Sequence, residues 1–168
     1  MNRGYSREWY LERIEAIHKI IPDCAVSTDI ISGFCGETDE EHKDTLSLMD
    51  IVAFDFAYMF KYSERPKTLA ERKFEDDVPE EIKSKRLTEI IEKQLTYSLA
   101  SNKTRVGKIE RVLIEGESKR SDQHMSGRTG RNSMVVFPKG NFSKGDYIHV
   151  EIQDCTSATL LGVAVENY

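Results

Sequence analysis

Cysteine is scarce in this sequence, with only Cys24, Cys35 and Cys155 present. They are odd in number and widely spaced, which argues against a disulfide framework and matches none of the short-spaced patterns that hold zinc or an iron–sulfur cluster. Reduced thiols of this kind fit a cytoplasmic protein. Histidine supplies no metal site either, since His18, His42, His124 and His149 form no pair at ligand spacing. No apolar run approaches the roughly 20 residues of a membrane-spanning helix. No leader pattern opens the sequence, because Met1-Asn-Arg-Gly-Tyr-Ser runs directly into a polar amphipathic segment. Proline is sparse, four in all, and Pro22 and Pro79 fall where the periodicity changes.

What is present is an ordinary charged composition, 32% Asp, Glu, Lys and Arg, on 168 residues, enough for one domain or two small ones. The net charge of −5 hides an asymmetry. Residues 1–100 carry 14 Lys and Arg against 21 Asp and Glu, whereas residues 101–168 carry 10 against 8. A change of sign along the chain points to two domains with different partners.

Ser6 is placed to cap a helix from Arg7 to Ile20 with Tyr10, Ile14, Ile17 and Ile21 on its apolar face. After Pro22 comes the stretch around which the first part is organised, Ala25 to Thr38. It reads as a strand, a turn bracketed by Gly33 and Gly36, and a helix opened by the capping box Thr38 and Glu41. Asp29 in that strand is costly to bury without a partner, so one strand face is expected to look into a polar site. The helix is expected over Asp39–Met49, with Leu46, Met49 and Val52 inward, and a second strand over Phe54–Tyr62 with Phe56, Tyr58, Phe60 and Tyr62 on one face. Strand, helix and strand in this order predict a parallel βαβ unit. Residues 63–78 read as a polar loop, and Pro79 opens a long helix to Ala100 with a stripe of Leu87, Ile90, Ile91 and Leu95.

From Val106 the period becomes alternating. Lys108–Glu115, Met125–Thr129, Ser133–Phe137, Tyr147–Thr156 and Thr159–Val165 are five short strands, with Gly116, Gly127, Gly130, Gly140 and Gly145 punctuating the region. This predicts a small antiparallel OB-like barrel. Lys119, Arg120, Arg128, Arg131, Lys139 and Lys144 fall in or beside its turns, as either a phosphate-reading fringe or plain solvated loops. Two parallel strands and three helices do not close a barrel, and an open strand edge predicts both that the sequence is part of a longer one and that the chain self-associates.

The motifs then resemble one family. Met1-Asn-Arg-Gly-Tyr-Ser6, Ser27-Thr-Asp-Ile-Ile-Ser-Gly-Phe-Cys-Gly-Glu-Thr38 and Tyr62-Ser-Glu-Arg-Pro-Lys-Thr68 are similar to segments in the carboxyl-terminal part of the MiaB family, the radical S-adenosylmethionine tRNA methylthiotransferases. The segment after Lys103, with Gly127-Arg-Thr-Gly-Arg-Asn132 ahead of Val135-Val-Phe-Pro138, is similar to a TRAM domain. The sequence departs from the family pattern at Cys35, where proline is usual, and at Lys67, where glycine is usual.

The resemblance implies residues 1–103 as the later part of a radical S-adenosylmethionine (βα) barrel with its long linking helix, and 104–168 as a five-stranded RNA-binding TRAM barrel. It implies a parent transferase that adds a methylthio group to isopentenyladenosine beside the tRNA anticodon, using S-adenosylmethionine and two 4Fe–4S clusters. The cluster cysteines are not in this sequence, so no catalytic residue is assigned and the chain alone is expected to be inert. The implied partners are a tRNA anticodon stem-loop and the absent amino-terminal part of the same protein. By the same resemblance Asp29, Ile31 and Gly33 approach the cofactor. Arg3 reaches the cofactor carboxylate, tRNA or a surface ion pair, and Phe60 and Tyr62 wall the pocket or serve as core. Arg65, Lys119, Arg120, Arg128, Arg131 and Asn132 are the candidate RNA contacts. The competing readings are a stand-alone RNA-binding module and a sister enzyme acting on threonylcarbamoyl-adenosine or a ribosomal protein.

Overall fold

The computed structural model describes residues 3–165 and divides into two compact units, residues 1–94 and 95–168. In the first, helix α1 (Arg7–Ile20) starts where Ser6 Oγ accepts the Trp9 amide at 3.3 Å. It is followed by strand β1 (Ser27–Ser32), helix α2 (Asp39–Val52) and strand β2 (Phe56–Lys61). Thr38 and Glu41 close the expected capping box through bonds of 2.9 and 3.2 Å. Helix α2 runs three residues further than its sequence pattern indicates and stops at Ala53, which takes a left-handed backbone (φ 49°).

β1 and β2 pair in parallel, Ser27 opposite Phe56 through Ser32 opposite Lys61. They are the whole of this sheet among the described residues. The core beside it comprises Ile14, Met49, Val52, Phe54, Val78 and Ile90. The segment expected to be loop contains a short helix, α3 (Leu69–Lys73), capped by Thr68. Just before it Lys67 stands at φ 67°, a conformation that favours glycine, which accounts for the family's usual residue there.

Helix α4 (Glu80–Lys103) differs from expectation in what it buries. Leu95 is 47% exposed, whereas Lys83, Arg86, Ile90 and Gln94 are buried. The polar members each make bonds to neighbouring segments, although Arg86 Nε and Gln94 Oε1 have no hydrogen-bond partner among the described residues. Gln94 donates to the Phe54 carbonyl at 2.7 Å, and Lys83 reaches Asp76 at 2.5 and 2.6 Å.

The second unit holds strands β3 (Ile109–Ser118), β4 (Ser121–Thr129), β5 (Met134–Pro138), β6 (Tyr147–Cys155) and β7 (Leu160–Val165). They close a barrel in the order β3-β4-β5-β7-β6, with β6 returning to β3. The five strands answer the sequence pattern, but the sheet is not wholly antiparallel: β5 and β7 run parallel, Val135 opposite Leu160. Alternation misses this because it reports which face a residue takes and nothing of which strand lies beside it. Val112, Ile114, Met125, Val135, Phe137, Val150, Ile152 and Leu160 fill the interior. Gly127 lies within β4 rather than at a turn. A Cβ there would stand 2.4 Å from the Leu113 carbonyl oxygen, and one on Gly162 would stand 2.3 Å from that of Glu151. No helix among the described residues is long and apolar enough to cross a membrane.

Candidate nucleic-acid interface

Three places bring the candidate residues together or separate them. The first is one face of the β1–β2 sheet. Strand parity and register put Ser27, Asp29 and Ile31 beside Phe56, Tyr58 and Phe60 on a common face. Asp29 is exposed, and Tyr58 and Phe60 are 59% and 54% exposed, so this face is uncovered. Asp29 therefore looks into solvent, and Phe60 is not core. The opposite face holds Thr28, which bonds Tyr10 of α1, and the buried Ser32.

The second place is the turn leaving β1, which contains Gly33 and against which Tyr62, just after β2, packs through Phe34. Gly33 (φ 73°) is buried, and a Cβ there would meet Lys83 Cγ at 2.4 Å. Its amide donates to Glu37 Oε2 at 2.7 Å, and Arg86 donates to the same oxygen and to the Glu37 carbonyl, both at 2.9 Å. The second Arg86 nitrogen holds Asp39 at 2.7 Å. Tyr62 is separated from Phe60 and packs edge-on to Phe34, ring centroids 5.0 Å apart, with Lys83 Nζ 5.3 Å from its own centroid. Burial, followed by the neighbouring Cys35 thiol, pushes the Tyr62 phenol up to about 12. Arg3 and Arg65 are exposed, and neither has a carboxylate partner among the described residues.

The third place is a groove of about 1020 Å³ on the barrel. Met134, Val136, Leu161 and Val163 contribute its apolar lining, Lys119, Arg120 and Arg128 supply cations, and Glu115, Glu117 and Asp154 supply carboxylates. It runs over β4 and β5, the second and third barrel strands, between the β3–β4 turn and the β6–β7 turn. That is the surface on which OB-like barrels bind oligonucleotides. His124, bonded to Ser121 at 3.0 Å, also lines it.

The cations differ in their availability. Lys119 and Arg120 lie in the β3–β4 turn with no carboxylate partner among the described residues. Arg128 donates to the Asn132 carbonyl at 2.8 Å and stands 3.6 Å from Glu115. Asn132 takes a left-handed backbone (φ 62°) in the β4–β5 turn, so this pair is partly occupied in shaping the hairpin. Neither Arg131 nor Asn132 lines the groove. Lys139 pairs with Glu117, and its ammonium holds that carboxyl below the usual carboxylate range. Sequence reasoning passed over Lys83 and Arg86, because lysine and arginine are almost never buried unless paired and no local pattern announces the pairing.

A closed five-stranded barrel with a groove rimmed by charges of both signs, joined in sequence to a βαβ unit, defines a class: an α/β unit carrying an OB-like barrel. Residues 103–165 match the TRAM domain model. The chain is 56% identical over 165 residues to the tRNA-2-methylthio-N(6)-dimethylallyladenosine synthase of Phocaeicola vulgatus, covering 98% of this chain and 36% of that protein. It is 53% identical to the protein of the same name in Amoebophilus asiaticus, covering 96% and 34%, and 54% identical to that of Christiangramia forsetii, again covering 96% and 34%. Over 96–98% of its length the chain is similar to these MiaB-family synthases, of whose length it spans about a third.

Proposed function

We propose that this chain is part of a tRNA methylthiotransferase that modifies carbon 2 of isopentenyladenosine beside the anticodon, and that its barrel docks the tRNA. The observation that carries this reading is identity above 50% along 96–98% of the chain to proteins bearing that activity in their names. In this reading residues 1–103 contribute strands and helices to a radical S-adenosylmethionine barrel, and residues 104–168 form the RNA-binding domain. The open edges and uncovered face of the β1–β2 sheet are where the remaining barrel strands pair and where the cofactor lies.

S-adenosylmethionine, when bound, supplies the radical and the methyl group for this chemistry. The chain's own part is to hold it. Asp29, exposed on the open face, would hold it through its carboxylate, with Ile31 and Phe60 beside it on the same face. Lys83 and Arg86 act indirectly by fixing the turn after β1. The two 4Fe–4S clusters have no fit here. Among the described residues no group of three His, Cys, Asp or Glu side chains is placed to hold a metal, and Cys24, Cys35 and Cys155 are all free thiols. In this reading their ligands belong to the portion of the relatives this chain does not span.

Base flipping is required for chemistry on an adenine ring carbon, and docking of the stem by the barrel would hold the loop for it. The test is binding of the chain to an anticodon stem-loop RNA, with and without the isopentenyl group, across a salt series. Affinity should fall steeply with salt, and Lys119→Ala with Arg120→Ala should reduce it by about tenfold. Absence of binding even at low salt sinks the docking role.

A further inference from the structure

The exposed aromatic on the barrel lies outside the groove. Tyr147, at the start of β6, is 58% exposed. The Arg111 guanidinium carbon lies 4.1 Å from its ring centroid, and Arg111 has no carboxylate partner among the described residues. The pair spans two strands. In the β3–β6 ladder Arg111 stands opposite His149 and Leu113 opposite Tyr147, and in the β3–β4 ladder Leu113 stands opposite Arg128. Burial alternates along β3 and β6 so that Val112, Ile114 and Val150 fill the interior. Arg111, Leu113, Tyr147 and Arg128 therefore share the outer surface of three adjacent strands.

This places an aromatic ring and a leucine between two guanidiniums. Arg128 is common to this platform and to the groove rim, so the two surfaces are continuous. The acids nearby are largely committed: Asp146 accepts the Ser143 amide at 2.8 Å, and Glu115 lies beside Arg128. Residues 95–168 carry 10 Lys and Arg against 8 Asp and Glu, opposite in sign to the rest of the chain. An exposed tyrosine backed by arginine suits a nucleobase: the ring offers a stacking face, and the guanidinium offers N–H groups to the adjoining phosphate.

We infer that Tyr147 and Arg111 form a stacking site for one unpaired RNA base whose strand continues across Arg128 into the groove. The inference rests on the RNA-docking reading above and deepens it by naming where a base is held. Neither residue stands out in the sequence as a candidate, because Arg111 and Tyr147 are brought together only by the β3–β6 pairing.

The test uses the whole chain and an anticodon stem-loop RNA carrying 5-iodouridine at each unpaired position in turn. Tyr147→Ala should weaken binding by about tenfold with the salt slope unchanged, while Tyr147→Phe should bind as the parent does. Arg111→Gln should weaken binding and lower the slope of log K against log salt by about 1. Ultraviolet cross-linking from one loop position should map to Tyr147. If the parent chain binds RNA but Tyr147→Ala, shown by thermal unfolding to be folded, binds equally well and no cross-link maps to Tyr147, this inference is overturned and docking through the groove survives. If the parent chain binds no RNA at all, both fall.

Discussion

Single residues in this chain are fixed by neighbours far away in sequence. Gly33 is glycine because its φ is 73° and because Lys83 of α4 occupies the space a side chain would need. Asp76 is there because Lys83 is buried and a buried ammonium requires a partner. Tyr62 sits against this pair, and its phenol is pushed up to about 12 by burial and then by Cys35. The sign of the linkage follows. The fold disfavours the phenolate, so the stabilisation is fully present below the ordinary tyrosine value near 10 and is lost as pH rises from there toward about 12. Burial also raises the Tyr10 phenol, so an ultraviolet titration should show more than one late tyrosine, and Tyr62→Phe should remove the latest component while leaving the others. An unchanged late amplitude in Tyr62→Phe would place that phenol elsewhere.

At the scale of elements, the caps and the barrel strands obey different rules. Ser6 and Thr38 set helix starts through bonds spanning three residues, which is why both were legible from sequence. The strands of the barrel were legible as alternation, but their partners were not. Gly127 and Gly162 fall inside the strands expected from sequence, but only the pairing shows that each lies against a neighbouring strand's carbonyl. An added methyl at 2.3–2.4 Å from a carbonyl oxygen forces backbone to move. Gly127→Ala and Gly162→Ala should each cost roughly 1–3 kcal/mol, read as a lower urea midpoint for the barrel. Gly130→Ala, where nothing lies within 4 Å, serves as the tolerant control. Equal effects at all three would refute strand crowding as the cause.

For the whole molecule, the consequence is an unfinished sheet. β1 and β2 pair only with each other among the described residues, and Tyr58 and Phe60 on their open face are more than half exposed. Such a face and two free edges drive association when nothing covers them. The chain alone should therefore sediment as a concentration-dependent oligomer, and Phe60→Asp should shift it to monomer without loss of helix signal. Monomeric behaviour of the unsubstituted chain at high concentration would show that the exposed face is tolerated.

The sequence by itself determined the order of every element except α3, the caps of α1 and α2, the parallel βαβ unit and the five strands of the barrel. These rest on periodicity and on bonds between residues three or four apart, which any reader of the chain can count. It also located Lys119, Arg120 and Arg128 at the turns that border the groove. Only the tertiary structure decided that α4 buries Lys83 and Arg86, that α3 interrupts the loop after β2, that β5 and β7 run parallel, that Lys83 stands where a side chain on Gly33 would be, and that Arg111 lies on Tyr147. The physical reason is common to most of these. Each depends on which distant segment is brought alongside, and a side-chain period records only the face a residue takes, never the neighbour that face will meet.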